Sequence, residues 1–326
     1  MRKRNIFLLV GLAIAGAVYL NNTSLLSGRP AGEPTILAHR GLTQEYDRTG
    51  LTGDTCTAER IRPPRHDYLE NTLRSMKAAF ERGADVLEFD IHPTTDGKFA
   101  VFHDWTVDCR TEGAGETRSH SMADLKKLDV GYGYTADGGK TYPFRGQGVG
   151  LMPTLEEVLN EFPDKRFHIN VKSNDPREGE RLAAFIATLP PSRQDDLSVL
   201  GGDRPVQAVK QALPDVRTLS KESLKRCLIR YQALGWSGYV PDNCRNGAML
   251  LPANFAPWLW GWPTRFLDRM AASGTEVFLI APYYGSGFSE GMNDPELIDA
   301  LPAGYSGGIS TDALDMIAPA LQRRAL

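Results

Sequence analysis

The sequence predicts a (β/α)8 barrel behind a short apolar N-terminal segment. From Glu33 on, short β-rich runs alternate with amphipathic helical runs, giving about eight strands over roughly 290 residues. Polar residues gather at the same end of several of these strands. In a parallel barrel those C-terminal ends converge on one face, where active sites are built. A doubly wound open sheet is the alternative architecture. It usually carries a Gly-rich phosphate loop after its first strand, whereas here that strand ends in Ala38-His39-Arg40-Gly41.

The elements follow in order. Residues 35–39 read as a strand, and 71–82 as a helix with Leu73, Met76, Ala79 and Phe80 on one face. Residues 86–92 form the next strand, Asp96-Gly97 signals a tight turn, and 99–103 form the third strand. Thr154 heads a helix with Glu157 as its capping-box partner, and that helix ends near Pro163. A strand over 167–172 and a helix over 177–189 come next. Later strands are expected at 197–200, 216–219, 238–240, 277–281 and 308–311. Helices at 205–213, 224–234 and 264–273 separate them.

With 326 residues the chain is too long for a small stapled module and long enough for a sizeable core. At 41% hydrophobic and 24% charged residues it is neither a disordered tail nor a polytopic membrane protein. The net charge is -3, and without Arg2, Lys3 and Arg4 the rest carries 34 basic against 40 acidic residues. That balance argues against nucleic acid as a partner.

Residues 1–32 read as a signal peptide or signal anchor with a linker, and 33–326 as the barrel domain. Three cations precede an apolar run over 6–20, which spans about 22 Å as a helix, short of a roughly 30 Å hydrocarbon core. Ala15-Gly16-Ala17 is a cleavage motif, but it lies inside the run. The charge pattern puts the barrel outside the cytoplasmic membrane, in the periplasm or extracellular space, tethered by this segment. Four cysteines in an exported chain favour two disulfides, and sequence proximity pairs Cys56 with Cys109 and Cys227 with Cys244.

The polar strand ends specify a chemistry. Glu88 and Asp90 are two apart on a strand, so both carboxylates face one way and call for a cation or a shared proton. Oxygen ligands suit one hard divalent ion, Mg²⁺ or Ca²⁺. Arg40 and Lys172 suit a phosphate. His39 and His103 titrate near neutral pH and suit acid and base roles. This set fits phosphodiester cleavage better than acyl transfer, for which no Gly-x-Ser-x-Gly elbow is present. The carboxylates are too few for a two-metal nuclease.

In these residues the chain resembles the glycerophosphodiester phosphodiesterase family. The matching blocks, in order, are His39-Arg40-Gly41, Glu70-Asn71-Thr72, Glu88-Phe89-Asp90, Thr94-Thr95-Asp96-Gly97 and His103-Asp104. Pro153-Thr154-Leu155-Glu156-Glu157, the strand ending at Lys172, and Gly308-Ile309-Ser310-Thr311-Asp312 complete them. The resemblance implies a TIM barrel, His39 and His103 as the acid/base pair, Glu88 and Asp90 as metal ligands, and Arg40 and Lys172 on the phosphate. Three departures stand out. Asn170 takes the place of a usual third ligand Glu, so it is expected to be a neutral metal ligand. A stretch of 28 residues, 42–69, replaces a short connection and is expected to cap the site. The strand reading Phe278-Leu279-Ile280-Ala281-Pro282 lacks the family's terminal Asn.

His92 and His168 lie on the site-facing side of their strands and fit either a lining or a packing role. His66 and His120 read as solvated loop residues. The segment 250–263, with Trp258, Trp260 and Trp262, reads either as core packing over a barrel end or as an apolar lid touching acyl chains or a membrane. The expected substrate is a small-molecule or lipid-derived phosphodiester. Alternatives are a phospholipase of C or D type on lysophospholipids, or a catalytically silent phosphate- or lipid-binding protein.

Overall fold

Leu87, Phe89 and Ile91 alternate with Glu88 and Asp90 along one strand, and this alternation organises the molecule. The apolar set packs outward against helices and the carboxylates face the barrel interior. The computed structural model describes residues 2–26, 33–52, 55–285 and 289–325. Its strands are β1 (Thr35–His39), β2 (Val86–Pro93), β3 (Phe99–Val101), β4 (Arg166–Val171), β5 (Leu197–Gly201), β6 (Arg217–Ser220), β7 (Ala248–Pro252), β8 (Glu276–Ile280) and β9 (Gly308–Thr311). Eight run in the order β6-β5-β4-β2-β1-β9-β8-β7, all neighbours parallel. The two ends meet through a parallel bridge between Thr218 and Gly247, where the Thr218 N–H donates to the Asn246 carbonyl at 3.3 Å. This is a (β/α)8 barrel with one lightly sewn seam.

Two expected strands differ. Residues 238–240 are not a strand: Gly238 adopts φ +89° after a short 3₁₀ turn, and the barrel strand is Ala248–Pro252. β3 is not a barrel strand either. The Asp96-Gly97 turn folds it back antiparallel on β2, pairing Ile91 with Val101 and Pro93 with Phe99. His103 therefore reaches the C-terminal face by a hairpin return.

Inside the barrel, Leu37, Val86 and Phe278 form a small apolar plug. Below the mouth, His168 lies edge-on to Phe278 at 5.2 Å and 4.0 Å from Glu276, which Arg166 and Arg217 also pair. His168 thus belongs to the packed floor. Outside, Phe89, Phe167, Ile169, Met76, Val158 and Leu182 share the main core. The helix Leu155–Glu161 starts at the expected capping box, Thr154 with Glu157.

A second apolar cluster sits over the mouth. Ile61, Leu69, Phe102, Met122, Leu125 and Phe144 build it, from the 42–69 insertion and the 102–152 connection. The Cys56–Cys109 disulfide joins these two segments, and Cys227–Cys244 ties the helix Lys221–Leu234 to the turn before β7. Both pairings are those expected from sequence proximity. Their loops span 53 and 17 residues. Loop-closure entropy then assigns about 4 and about 3 kcal/mol. Denaturant titration of the Cys56→Ser/Cys109→Ser and Cys227→Ser/Cys244→Ser double variants should show both losses, the first being the larger.

The N-terminal helix runs over Arg2–Asn22, longer than the apolar run at both ends. Its 21 residues span about 32 Å. An 18-residue window within it is apolar and long enough to cross a membrane, a test that a signal sequence also passes, and none of that window is buried against the barrel. Its foot is docked, however. Asn22 Nδ2 donates to the Trp236 carbonyl at 2.8 Å, and Arg269 Nη2 donates to the Asn21 carbonyl at 2.7 Å. The linker part at 27–32 lies outside the described residues.

Candidate active site

β1 ends in His39, and the chain then turns sharply. Arg40 adopts φ +60°, fixed by its N–H on the Glu88 carbonyl (2.8 Å) and its own carbonyl under the Asn71 N–H (2.9 Å). Left-handed backbone at a non-glycine residue is costly and persists where surroundings enforce it. Gly41 follows at φ +85°, and a Cβ there would lie 2.6 Å from Ser75 Oγ. The turn leaves Arg40 facing the interior carboxylates. Its Nε lies 3.2 Å from Asp90 Oδ2 and its Nη1 3.0 Å from Glu70 Oε1.

The structure brings all seven expected residues together at the barrel mouth. Asp90 pairs in register with Asn170, whose amide nitrogen donates to Asp90 Oδ1 at 2.9 Å. Lys172 Nζ lies 3.5 Å from the same oxygen. His39 Nε2 lies 3.5 Å from Glu88 Oε2, and its Nδ1 bonds Asp312. His103 Nδ1 bonds Asp104 Oδ1 at 2.6 Å. Each imidazole is thus held by a carboxylate through Nδ1, which orients the ring and leaves Nε2 for chemistry.

Several supporting residues had no assigned role in the sequence. Asp312 is itself held by Arg48 Nη2 (3.0 Å) and Asn293 Nδ2 (2.8 Å). Arg110 joins Asp104 Oδ2 (2.9 Å), Glu70 Oε2 (3.2 Å), Thr57 Oγ1 (2.7 Å) and Tyr134 OH (2.5 Å). Glu70, Asp104 and Asp312 lay inside the matching blocks, and Arg110 adjoins Cys109. Arg48 and Asn293 carried no local signal. Tyr46, Arg48, Leu51, Thr52, Thr55 and Thr57 of the insertion line the site cavity, so the insertion does cap it.

His92 is buried, edge-on to Trp105 at 5.5 Å, with Nε2 3.3 Å from the His103 carbonyl. Burial pushes it down to about 4. It buttresses the His103 backbone rather than lining the site. His66 is half-buried against Gln44 and Tyr68, and His120 faces the Ala114 carbonyl.

The electrostatics separate the two imidazoles. Burial and the Arg40 guanidinium act to lower His39, but Glu88 and Asp312 outweigh them and its pKa is raised. At His103 burial and Arg40 prevail over Asp90 and Asp104, and its pKa is lowered. Burial and the Asp90 charge push Glu88 up to about 7. Asp90 stays well below the usual carboxylate range because Lys172, His103 and Arg40 overcome its burial.

The carboxylates bear on a cation. Glu88 Oε2 and Asp90 Oδ2 are buried and accept no hydrogen bond among the described residues, with His39 Nε2 and Arg40 Nε only in ion-pair range of them. Two such oxygens are hard donors, and Mg²⁺ is commonly held by one or two carboxylates plus substrate phosphate. No cluster of three or more His, Cys, Asp or Glu suited to a metal occurs among the described residues, so a cation here would draw its remaining ligands from elsewhere. Asn170 presents its N–H to Asp90, and its amide would turn to offer oxygen.

The barrel mouth thus brings two cationic side chains and two carboxylate-held imidazoles to one cavity. The glycerophosphoryl diester phosphodiesterase family profile matches residues 39–183. The chain is 40% identical over 123 residues to a glycerophosphodiester phosphodiesterase of Bacillus subtilis, covering 36% of this chain and 41% of that one. It is also 40% identical over 103 residues to one of Caldanaerobacter subterraneus, covering 32% and 39%. The chain thus spans about two-fifths of the length of these relatives. The crystal structure of a glycerophosphoryl diester phosphodiesterase domain from Mycobacterium tuberculosis aligns with TM-score 0.59 at 16% identity, over 89% of this chain and 99% of that one. An Oleispira antarctica phosphodiesterase in complex with the product sn-glycerol-3-phosphate aligns with TM-score 0.53 at 19% identity, over 89% and 97%. At these identities the structural likeness speaks for the fold. Over residues 39–183 the chain is thus similar to the glycerophosphodiester phosphodiesterase family.

Proposed function

We propose that the protein hydrolyses glycerophosphodiesters to glycerol phosphate and an alcohol, using His39 and His103 with one divalent cation, Mg²⁺ or Ca²⁺. The observation that carries this reading is the pair of carboxylate-anchored imidazoles at one cavity with Arg40 and Lys172. The named relatives support the substrate class.

In this reading Arg40 and Lys172 bind the phosphate oxygens, Arg by its fork and Lys as a point charge. His103, held neutral, accepts a proton at Nε2 from the attacking water or from a neighbouring substrate hydroxyl. His39, held protonated, gives its Nε2 proton to the departing alkoxide. Environments that push two titrating groups apart assign these roles. Asp104 and Asp312 stabilise the rings and fix their orientation. Glu88 and Asp90, with Asn170, would hold the cation, which when bound supplies charge stabilisation at the phosphate oxygens. Phosphate release from a panel of deacylated and lyso-phospholipids, with a coupled phosphomonoesterase, tests the function. Turnover of none of them would overturn it.

The pH profile follows with a definite sign. Activity rises as His103 loses its proton, below the ordinary imidazole value, and falls as His39 loses its proton, above it. Asp312→Asn removes a charge that raises His39. The alkaline limb of kcat/KM should therefore move to lower pH while the acid limb stays. An unmoved alkaline limb would remove His39 as the acid.

The N-terminal helix reads as a membrane anchor or signal, with the barrel on the exported side. Two disulfides agree with an oxidising compartment.

A further inference from the structure

The site cavity is far larger than the acid–base pair requires. It measures about 1040 Å³, at the upper end of small-ligand sites. From His39, Arg40 and His103 it continues outward between the helix Lys221–Leu234 and the loop after β7. Leu219, Leu224 and Leu228 form one wall, and Phe255, Trp258 and Leu259 the other. These wall side chains are apolar, and the polar lining of the helix is limited to Ser220, Lys221, Lys225 and Gln232 among the described residues. Trp258 is 77% exposed and Ile229 61% exposed along this groove. Exposed apolar surface of this kind marks a binding or membrane face.

The outer end of the groove is tied to the N-terminal helix. Trp236, in the 3₁₀ turn just after the groove-lining helix, accepts hydrogen bonds at its carbonyl from Asn21 and Asn22 at the foot of the apolar helix. Leu234, Trp236 and Tyr239 are exposed around that foot. Trp and Tyr concentrate at membrane–water boundaries. Lys221 and Lys225 stand one turn apart on the groove lining and suit an anionic lipid surface.

We propose that the groove takes the acyl chain of a monoacyl glycerophosphodiester, a lysophospholipid drawn from the membrane in which the N-terminal helix is anchored. The inference rests on the phosphodiesterase reading and names its substrate. The acyl chain lies between Leu228 and Trp258 while the phosphodiester sits at the imidazoles. Water adds to phosphorus, the bond from phosphorus to the head-group alcohol breaks, and that alcohol leaves with the proton from His39. The product is an acylglycerol phosphate. Each buried methylene multiplies binding about fourfold, so four of them give about 10²-fold.

The test uses the full chain in lipid nanodiscs with Mg²⁺ or Ca²⁺. Lysophosphatidylcholine, lysophosphatidylethanolamine and lysophosphatidylglycerol are compared with their deacylated counterparts. We expect kcat/KM to favour a lyso form over its deacylated partner by about 10²-fold. Leu228→Asp should collapse that ratio and Leu228→Met should keep it. A lysophospholipid with a diazirine at the chain end should label residues 221–234 or 253–260. Equal or greater activity on the deacylated diesters would overturn the inference and leave the phosphodiesterase reading standing. Labelling of these segments without any turnover would uphold the groove as a chain site and sink the phosphodiesterase reading. Labelling confined to the N-terminal helix would mean membrane partition only, and would overturn the inference.

Discussion

Alanine at His39 or at His103 is expected to lower kcat by about 10²- to 10⁴-fold, the usual scale for a positioned acid or base. Neither ring can be replaced by a neighbour. His92 and His168, the other imidazoles on these strands, are fixed in packing with His103's backbone and with Phe278. KM should change much less, because Arg40 and Lys172 remain. The two single losses should not multiply in the double variant, since both groups act in one proton relay. Steady-state kinetics on the best diester of the panel measure this. Turnover within a few-fold of wild type in either variant would remove that residue from the reaction. Glu70→Gln should behave differently. It breaks the link between Arg40 and Arg110, and its loss should appear in both KM and stability.

Exhaustive chelation is expected to abolish diester hydrolysis, and Mg²⁺ or Ca²⁺ to restore it. The physical ground is the pair of buried carboxylates on one strand face, where burial and Asp90 push Glu88 up to about 7 even with His39, Arg40 and Lys172 nearby. Glu88 and Asp90 would hold a divalent cation, which when bound would supply positive charge against that repulsion. Asn170 gives the prediction a graded arm. Asn170→Glu adds a negative charge next to Asp90, and metal affinity by calorimetry should rise. Asn170→Ala removes both an amide oxygen and the N–H that steadies Asp90, and affinity should fall. Full activity after chelation would end the metal assignment, and three equal affinities would show that Asn170 is no ligand.

Much of this site was legible in the sequence because its groups sit on strand ends, where alternation fixes direction. Glu88 and Asp90 had to face one way, and Asn170 and Lys172 had to join them from the adjacent strand. What alternation cannot give is a partner across a long loop. Arg48 and Arg110 reach the site from the 42–69 insertion and the 102–152 connection, two segments that the Cys56–Cys109 disulfide joins. His103 was found at the right place for an incomplete reason, since β3 is a hairpin return. The strand expected at 238–240 failed because Gly-Tyr-Val has strand character only locally. The nearby Cys227–Cys244 tie and the left-handed Gly238 make that stretch a turn. The true strand, Ala248–Pro252, merged in sequence with the aromatic segment behind it. That segment divides: Trp262 packs near Phe266 and Tyr305, while Trp258 lines the groove.

The seam between β6 and β7 lies opposite the strands that carry the chemistry. His39, Glu88, Asp90 and Asn170 come from β1, β2 and β4, and Asp312 directly follows β9, so the strands behind them are an unbroken run of paired neighbours. The groove wall, by contrast, grows out of the joint where β6 and β7 meet through the Thr218–Gly247 bridge. There the Cys227–Cys244 disulfide ties the groove helix to the turn before β7. A covalent bond thus supplements the backbone pairing where that pairing is sparsest, and it holds the wall of the groove rather than the reacting groups.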